Sequence, residues 1–323
     1  MNCIRTRIVP IVLFASLTLS GCAVLTDSQV KNINAFAATA KGYCAFPSAV
    51  LRQRADFHLH SELVVASQFT DPDAIDHRLD AARKNYNSAV QMSSKFDLSL
   101  QLIQQYAGLL TKLSSAQYIT DLSAPTASLG ENLSSLVNIY NSKVKDTLPS
   151  GLGASISKVV LLIGKTLTRH KQTAALKEFV LAADTLVQVT TRNLITVLDG
   201  ESFTDAKGNT FPSLQSLLAT EKDFFMQSYR RVVFGDHTRI NYESIKFYYD
   251  ELTAYDNTEL ARQAIVQAAK GLAKAHAQLA INVREKKDLK DIIAQTQQLI
   301  TDVQSVGNIF AGLPNPIKLP EFH

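Results

Sequence analysis

The stretch AIDHRLDAARKNYNSAVQMSSKFDLSLQLIQQYAGLLTKLS, residues 74–114, holds no proline and a single glycine. Its apolar residues Ala81, Tyr86, Ala89, Met92, Phe96, Leu98, Leu102, Ile103, Tyr106, Leu109 and Leu110 recur mostly at three- and four-residue steps. That is the period of an α-helix with one face turned to a core, and it predicts one long amphipathic helix. Asp71-Pro72-Asp73 breaks the chain in front of it, and either aspartate suits a cap.

Outward from this stretch the same reading repeats. Gln29 to Tyr43 predicts a helix, and Pro47 fits the first turn of a second one carrying Val50, Leu51, Phe57, Leu59, Val64 and Val65. Ser123-Ala124-Pro125 opens another, with Leu129, Leu133, Leu136, Val137 and Tyr140. After the break Leu148-Pro149-Ser150-Gly151-Leu152-Gly153, residues 155–198 again lack proline. Their apolar positions cover more than one face, as expected of a central helix. Phe203 to Phe211 sets turn residues between two β-favouring ends and reads either as a small β-ribbon or as an irregular loop. Pro212 is expected to start the next helix, through Leu217 and Phe225 to Tyr229. Asp256 or Asn257 is then expected to cap an Ala-rich helix bearing the stripe Leu260, Ala264, Ala268, Leu272, Ala275, Leu279 and Val283. A last helix runs from Leu289 to about Phe310, before Gly312-Leu313-Pro314-Asn315-Pro316 and an extended Pro-rich tail, residues 312–323. No repeat recurs. The predicted fold is all-α, an elongated antiparallel bundle of long amphipathic helices, whose one candidate β element is the ribbon or loop near residues 203–211. Helices of 30 to 40 residues would each span about 45 to 60 Å.

Composition agrees. The 323 residues are 46% hydrophobic, with 13 Gly, 9 Pro and no Trp. Such a chain is neither disordered nor collagen-like. With 33 Lys and Arg against 29 Asp and Glu, the formal charge of +4 is too small at this length to argue for nucleic acid. Three cysteines make no disulfide scaffold.

The N-terminus carries the most specific signal. Arg5 and Arg7 precede a mostly apolar stretch, Ile8 to Leu19, too short for a permanent span, and this runs into Leu19-Ser20-Gly21-Cys22. The order of charge, apolar core and small-small-Cys resembles the signal peptide and lipobox of bacterial lipoproteins. The resemblance covers residues 1–22 only; no family is recognised for the body that follows. It implies cleavage before Cys22, a diacylglyceryl thioether on that cysteine and an acylated new N-terminus, palmitate being a usual acyl group. Several acyl chains on one residue anchor stably where one chain would not. Ala23, where the inner-membrane retention signal would place Asp, implies an outer-membrane lipid anchor in the bacterial cell envelope; a body facing the periplasm is the expected orientation, though Ala23 does not fix the leaflet. The expected organisation is a signal peptide over residues 1–21, a lipid anchor with a short tether over 22–28, a helical bundle over 29–311 and the tail.

Loss of Arg5 and Arg7 would leave a mature charge of +2. It would also leave Cys44 as the one free thiol, which must be buried or must pair between molecules. Its apolar setting, Gly42-Tyr43-Cys44-Ala45-Phe46, points to burial.

Motifs for chemistry are weak. Gly164-Lys165-Thr166 resembles the end of a phosphate loop, but residue 159, where the first glycine belongs, is Val. Ser155-Ile156-Ser157-Lys158 matches SxxK without its companion motifs. His58 and His60 are two apart, which on a helix places them about 200° apart and unable to chelate together. Asp56 with His60, or His58 with Glu62, would share a face, and two ligands do not make a site. Asp76-His77 and Asp236-His237 are isolated pairs, and Asp199, Glu201 and Asp205 do not space as a calcium loop. No catalytic, metal or cofactor site is nominated. The aromatic segment offers Tyr242, Phe247, Tyr248, Tyr249 and Tyr255 either as a partner surface or as packing where helices cross.

The expected function is therefore non-enzymatic: an outer-membrane lipoprotein that serves as a protein-binding adaptor or structural component of an envelope or secretion assembly. Two alternatives stand beside it. One is a membrane-active protein loosely like α-helical pore-forming toxins, built around the Val159 to Ile163 segment. The other is a periplasmic enzyme whose site assembles from distant residues, a reading that two acids and a histidine converging in a pocket would support.

Overall fold

A computed structural model describes residues 27–114, 125–144, 147–149, 151–155, 158, 169–204, 207–235, 240–285 and 290–311. The signal segment, Cys22, the Val159–Ile163 segment, Gly164, Asp205, Asp236-His237 and the Pro-rich tail lie outside them. The helices are α1 (Asp27–Tyr43), α2 (Pro47–Ala66), α3 (Pro72–Ser114), α4 (Pro125–Lys143), α5 (Arg169–Asp199), α6 (Leu214–Tyr229), α7 (Tyr242–Glu285) and α8 (Lys290–Ala311). Two short strands, β1 (Ser202–Thr204) and β2 (Thr210–Pro212), pair antiparallel between α5 and α6. The fold is all-α, with that single ribbon as its β element among the described residues.

The arrangement follows from which residues meet. Along α3, Asn34 meets Ser114, Ser48 meets Asp97 and Glu62 meets Arg78. Along α7, Phe36 lies against His276, Tyr43 bonds the Ile265 carbonyl, Phe57 stacks on Tyr255 and His60 bonds Glu251. Helices α1 and α2 therefore follow one another in a single column, antiparallel to both α3 and α7. A second column is built the same way. On α5, Asp184 meets His276, Gln188 meets the Ala273 carbonyl and Asp199 meets Arg262; on α6, Lys222 meets Asp256 and Tyr229 bonds the Ser244 carbonyl. The body is thus four antiparallel columns, two continuous (α3, 43 residues; α7, 44 residues) and two assembled from shorter helices in series. At 1.5 Å per residue the continuous columns are about 65 Å long. Helix α8 packs along the C-terminal half of α7 and ends with Phe310 against Phe46.

Local sequence explains the breaks. Pro47 has no N–H, and its ring would clash with the carbonyl four residues back, so α1 cannot run on into α2. The joint closes instead through tighter bonds, from the Cys44, Ala45 and Phe46 amides to the Lys41, Gly42 and Tyr43 carbonyls. Cys44 is fully buried there, as its apolar setting predicts. In the other column the chain leaves α5 for the ribbon, which pairs Phe203 with Phe211 and turns through Gly208 at φ 87°. A positive φ of this size is nearly free for glycine and strained for other residues. Pro212 belongs to β2 rather than to the helix after it. Ser213 is the cap instead, its hydroxyl accepting from the Ser216 amide.

Two further expectations are corrected. Neither Asp256 nor Asn257 starts a helix; α7 passes through both from Tyr242 to Glu285, because packing on α2 and α6 carries the helix across them. The small-residue stripe is real from Ala268 to Leu279, but Leu260 is 53% exposed and lies off it. Ala261, Ile265, Ala268, Ala269, Leu272 and Ala275 form the buried face. Their small side chains let neighbours approach closely: a Cβ on Gly271 would come within 2.9 Å of an Asp302 carboxylate oxygen.

Candidate functional site

The end of the bundle that holds α2, α6 and the first turns of α7 gathers most of the chain's unusual side chains. Helix α2 carries Arg54, Asp56, His58, His60 and Glu62, polar residues that its neighbours must accommodate. It does so by facing three helices at once. Arg54 Nη2 donates to Glu221 of α6 at 2.7 Å, and His58 Nδ1 lies 3.0 Å from the same carboxylate. His60 Nδ1 lies 2.7 Å from Glu251 of α7. Glu62 forms an ion pair with Arg78 of α3 at 2.5 Å. The two histidines thus point to different helices, as their spacing requires. Among the described residues no group of His, Cys, Asp and Glu could hold a metal ion.

The pairing tunes protonation. The hydrogen bond that His60 makes to the Glu251 carboxylate raises the pKa of His60 above its usual value, with burial opposing and Asp56 adding its charge. Asp56 itself is raised, first by burial, while Tyr86 and His60 pull the other way. Tyr255 is held well above the usual tyrosine range by burial, opposed by Ser61.

Two acids and a histidine do converge, since His58 lies 4.0 Å from Glu62 as well as beside Glu221. Each acid, however, already carries an arginine, Arg78 or Arg54. The set is an interhelical stitch whose charges are spent on one another.

Behind it lies an aromatic cluster. Phe225 is fully buried and meets Tyr229, Phe247, Tyr248 and Tyr255 at ring distances of 5.5 to 6.2 Å. Phe234 and Tyr248 extend it to the π-helical turn Arg230–Phe234. The five aromatic residues that the sequence offers as a partner surface are divided by this packing. Tyr255 is 2% exposed and is core, a correction its stack on Phe57 explains. Tyr248 is half-buried in the cluster, and Phe247 bridges cluster and solvent at 38% exposure. Tyr242 and Tyr249 stand out at 72% and 68%. Ile245 lies between them, half-exposed, and at about 100° per residue all three fall within one 60° arc of α7.

Sequence reading missed a second polar group, in the other half of the bundle. Phe36 and Tyr106 lie against His276, which is fully buried, and Phe179 stacks on Tyr106. The Tyr106 hydroxyl lies 2.7 Å from His276 Nε2, and His276 Nδ1 lies 3.0 Å from Asp184. The His276 bond lowers the Asp184 pKa, and burial raises that of Tyr106. The available signal was a histidine beside Ala275 in an otherwise apolar stripe. Its partners, 92 and 170 residues away, leave no trace in local sequence.

Compared with protein-family models, with curated proteins and with solved structures, the chain gives no match.

Proposed function

We propose that the protein is an outer-membrane lipoprotein, anchored through lipidated Cys22 and facing the periplasm, that presents the exposed aromatic end of its bundle to a protein partner. The observation that supports this reading is the polarity of the rod. Asn34 on α1 bonds Ser114 at the C-terminal end of α3, so the chain enters the bundle at that pole. Tyr242, Ile245 and Tyr249 open α7, at the opposite pole. The separation approaches the length of α3, about 65 Å. Large amphipathic side chains on a rigid helix are the usual anchors of protein interfaces. Among the described residues no helix is long and apolar enough to cross a membrane, so the anchoring in this reading falls to the lipid.

The test is in-cell photo-crosslinking from benzoylphenylalanine placed at position 249, with the same probe at exposed Lys31 near the other pole. The expected result is a discrete protein adduct from position 249, lost in Cys22→Ala and absent from position 31. Equal labelling from both positions, or an adduct indifferent to Cys22→Ala, would overturn the anchored-adaptor reading.

A further inference from the structure

Helix α8 covers one face of α7 in the entry half and leaves the same face open in the distal half. Gly271 marks the covered part: a Cβ built there would meet Leu299 and Asp302 of α8. At about 100° per residue, Leu260, Tyr249 and Tyr242 all point within about 40° of Gly271. They are 53%, 68% and 72% exposed. The face that α7 turns to α8 thus runs on, uncovered, to the distal pole as a line of large side chains. From Leu260 to Tyr242 the line is about 27 Å long at 1.5 Å per residue.

The chain leaves α8 at the start of this line and in its direction. Leu299 and Asp302 lie at Gly271, whereas Phe310 lies against Phe46, whose amide bonds the Tyr43 carbonyl at the level of Ile265. Helix α8 therefore runs toward the distal pole and ends close to the level of Leu260. Residues 312–323, outside the described residues, follow it. Pro314, Pro316 and Pro320 favour polyproline II there, a helix of three residues per turn. At that period Leu313, Pro316, Leu319 and Phe322 form one edge, Pro314, Ile317 and Pro320 a second, and Asn315, Lys318 and Glu321 the third. Two edges are apolar and one is polar, which is the pattern of a strip laid on a surface with one edge in water. From Leu313 to Phe322 such a strip measures about 28 Å at 3.1 Å per residue, the length of the open line.

We propose that residues 312–323 lie as a polyproline II strip on the open face of α7, with the apolar edges over Leu260, Tyr249 and Tyr242. Exposed rings suit a proline-rich strip, whose preset backbone loses little entropy on docking. A lipid surface is a poorer occupant: the same turns of α7 carry Glu243 and Asp250 against Lys246, with no basic excess to meet anionic headgroups. The docked strip covers the surface that the adaptor reading gives to a partner, so the partner gains access by displacing it. That consequence rests on the adaptor reading, and the docking itself does not.

The test is photo-crosslinking in the purified full-length lipoprotein, from benzoylphenylalanine at position 249 and, as a control, at exposed Ile139 of α4. The expected adduct joins position 249 to a peptide within residues 312–323 of the same chain, as an equal mixture of heavy- and light-labelled protein shows, and position 139 gives none. Leu319→Ser with Phe322→Ser, on an apolar edge, should weaken it more than about tenfold. Asn315→Ser with Glu321→Gln, on the polar edge, should leave it unchanged. All four positions lie beyond the last helix of the bundle. No adduct to this segment, an adduct between chains only, or equal loss from both pairs overturns the docking. In cells, removal of residues 312–323 should raise the intermolecular adduct from position 249 about tenfold for a strip docked about nine-tenths of the time. An unchanged intermolecular adduct overturns the competition. No intermolecular adduct with or without the segment overturns the adaptor reading and leaves the docking standing.

Discussion

The two halves of the rod solve the same packing problem with different side chains. The entry half, where α1, α5 and α8 surround the C-terminal part of α7, relies on Ala268, Ala269, Leu272, Ala275 and Leu279 and on large apolar neighbours such as Leu109 and Phe179. Its polar chain Tyr106–His276–Asp184 is closed on both histidine nitrogens. The distal half, where α2 and α6 flank the first turns of α7, uses rings and ion pairs and leaves Tyr242 and Tyr249 in solvent. Small residues bring helix axes together and make a rigid, dry contact. Rings and paired charges hold helices further apart, in a geometry that depends on protonation. One half is built to persist, and the other to be adjusted.

That contrast can be broken in order of expected effect. Phe179→Ala, in the dry half, should cost about 3–5 kcal/mol by chemical denaturation, since Phe179 is fully buried and its removal leaves a cavity. His276→Leu should cost about 1–3 kcal/mol, because it strands the buried Tyr106 hydroxyl without a partner. A loss well below that range would show that the polar excursion is expendable.

pH should then separate the halves. Asp184 titrates lower in the folded protein than in the unfolded chain. Its contribution is present in full above pH 3.8 and disappears as pH falls through its folded value. His60 titrates higher in the folded protein. Its contribution is present in full below pH 6.5 and disappears as pH rises through its folded value. Hydrogen exchange at pH 3, 5.5 and 8.5 should therefore show α5 loosening in acid and the contact of α2 with α7 loosening in base. His60→Gln should remove the alkaline change alone. The smallest effect belongs to Tyr242→Ser, which should leave stability within about 0.5 kcal/mol while sharply reducing the crosslink from position 249.

Much of this body was legible from the chain itself. Period and proline placement locate α1, α2, α3 and α8, because those signals are local; over residues 203–211 the sequence leaves ribbon and loop open, and the pairing of Phe203 with Phe211 decides for the ribbon. The continuity of α7 was not legible: Asp256 and Asn257 look like caps, and only packing on Phe57 and Lys222 shows otherwise. Burial within the aromatic segment was also hidden. Tyr249 and Tyr255 are both tyrosines six residues apart on one helix, and what buries one of them is Phe57, nearly two hundred residues earlier. The stitch at Glu221 was missed for the same reason, since Arg54 lies 167 residues away. Sequence periodicity says which residues face inward, but not which residues they find there.

The level at which the two composite columns are interrupted has a mechanical consequence. The α1–α2 joint sits where Tyr43 reaches the Ile265 carbonyl, and the end of α5 sits where Arg262, 2% exposed, holds the Leu198 carbonyl. Both breaks thus fall within one turn of α7. Across that waist only α3 and α7 run unbroken among the described helices. A load along the rod would cross the waist on those two helices, and a sideways load would find its compliance there. Cys44, sealed in the joint, is placed to report it: its alkylation rate would register how often the strut flexes.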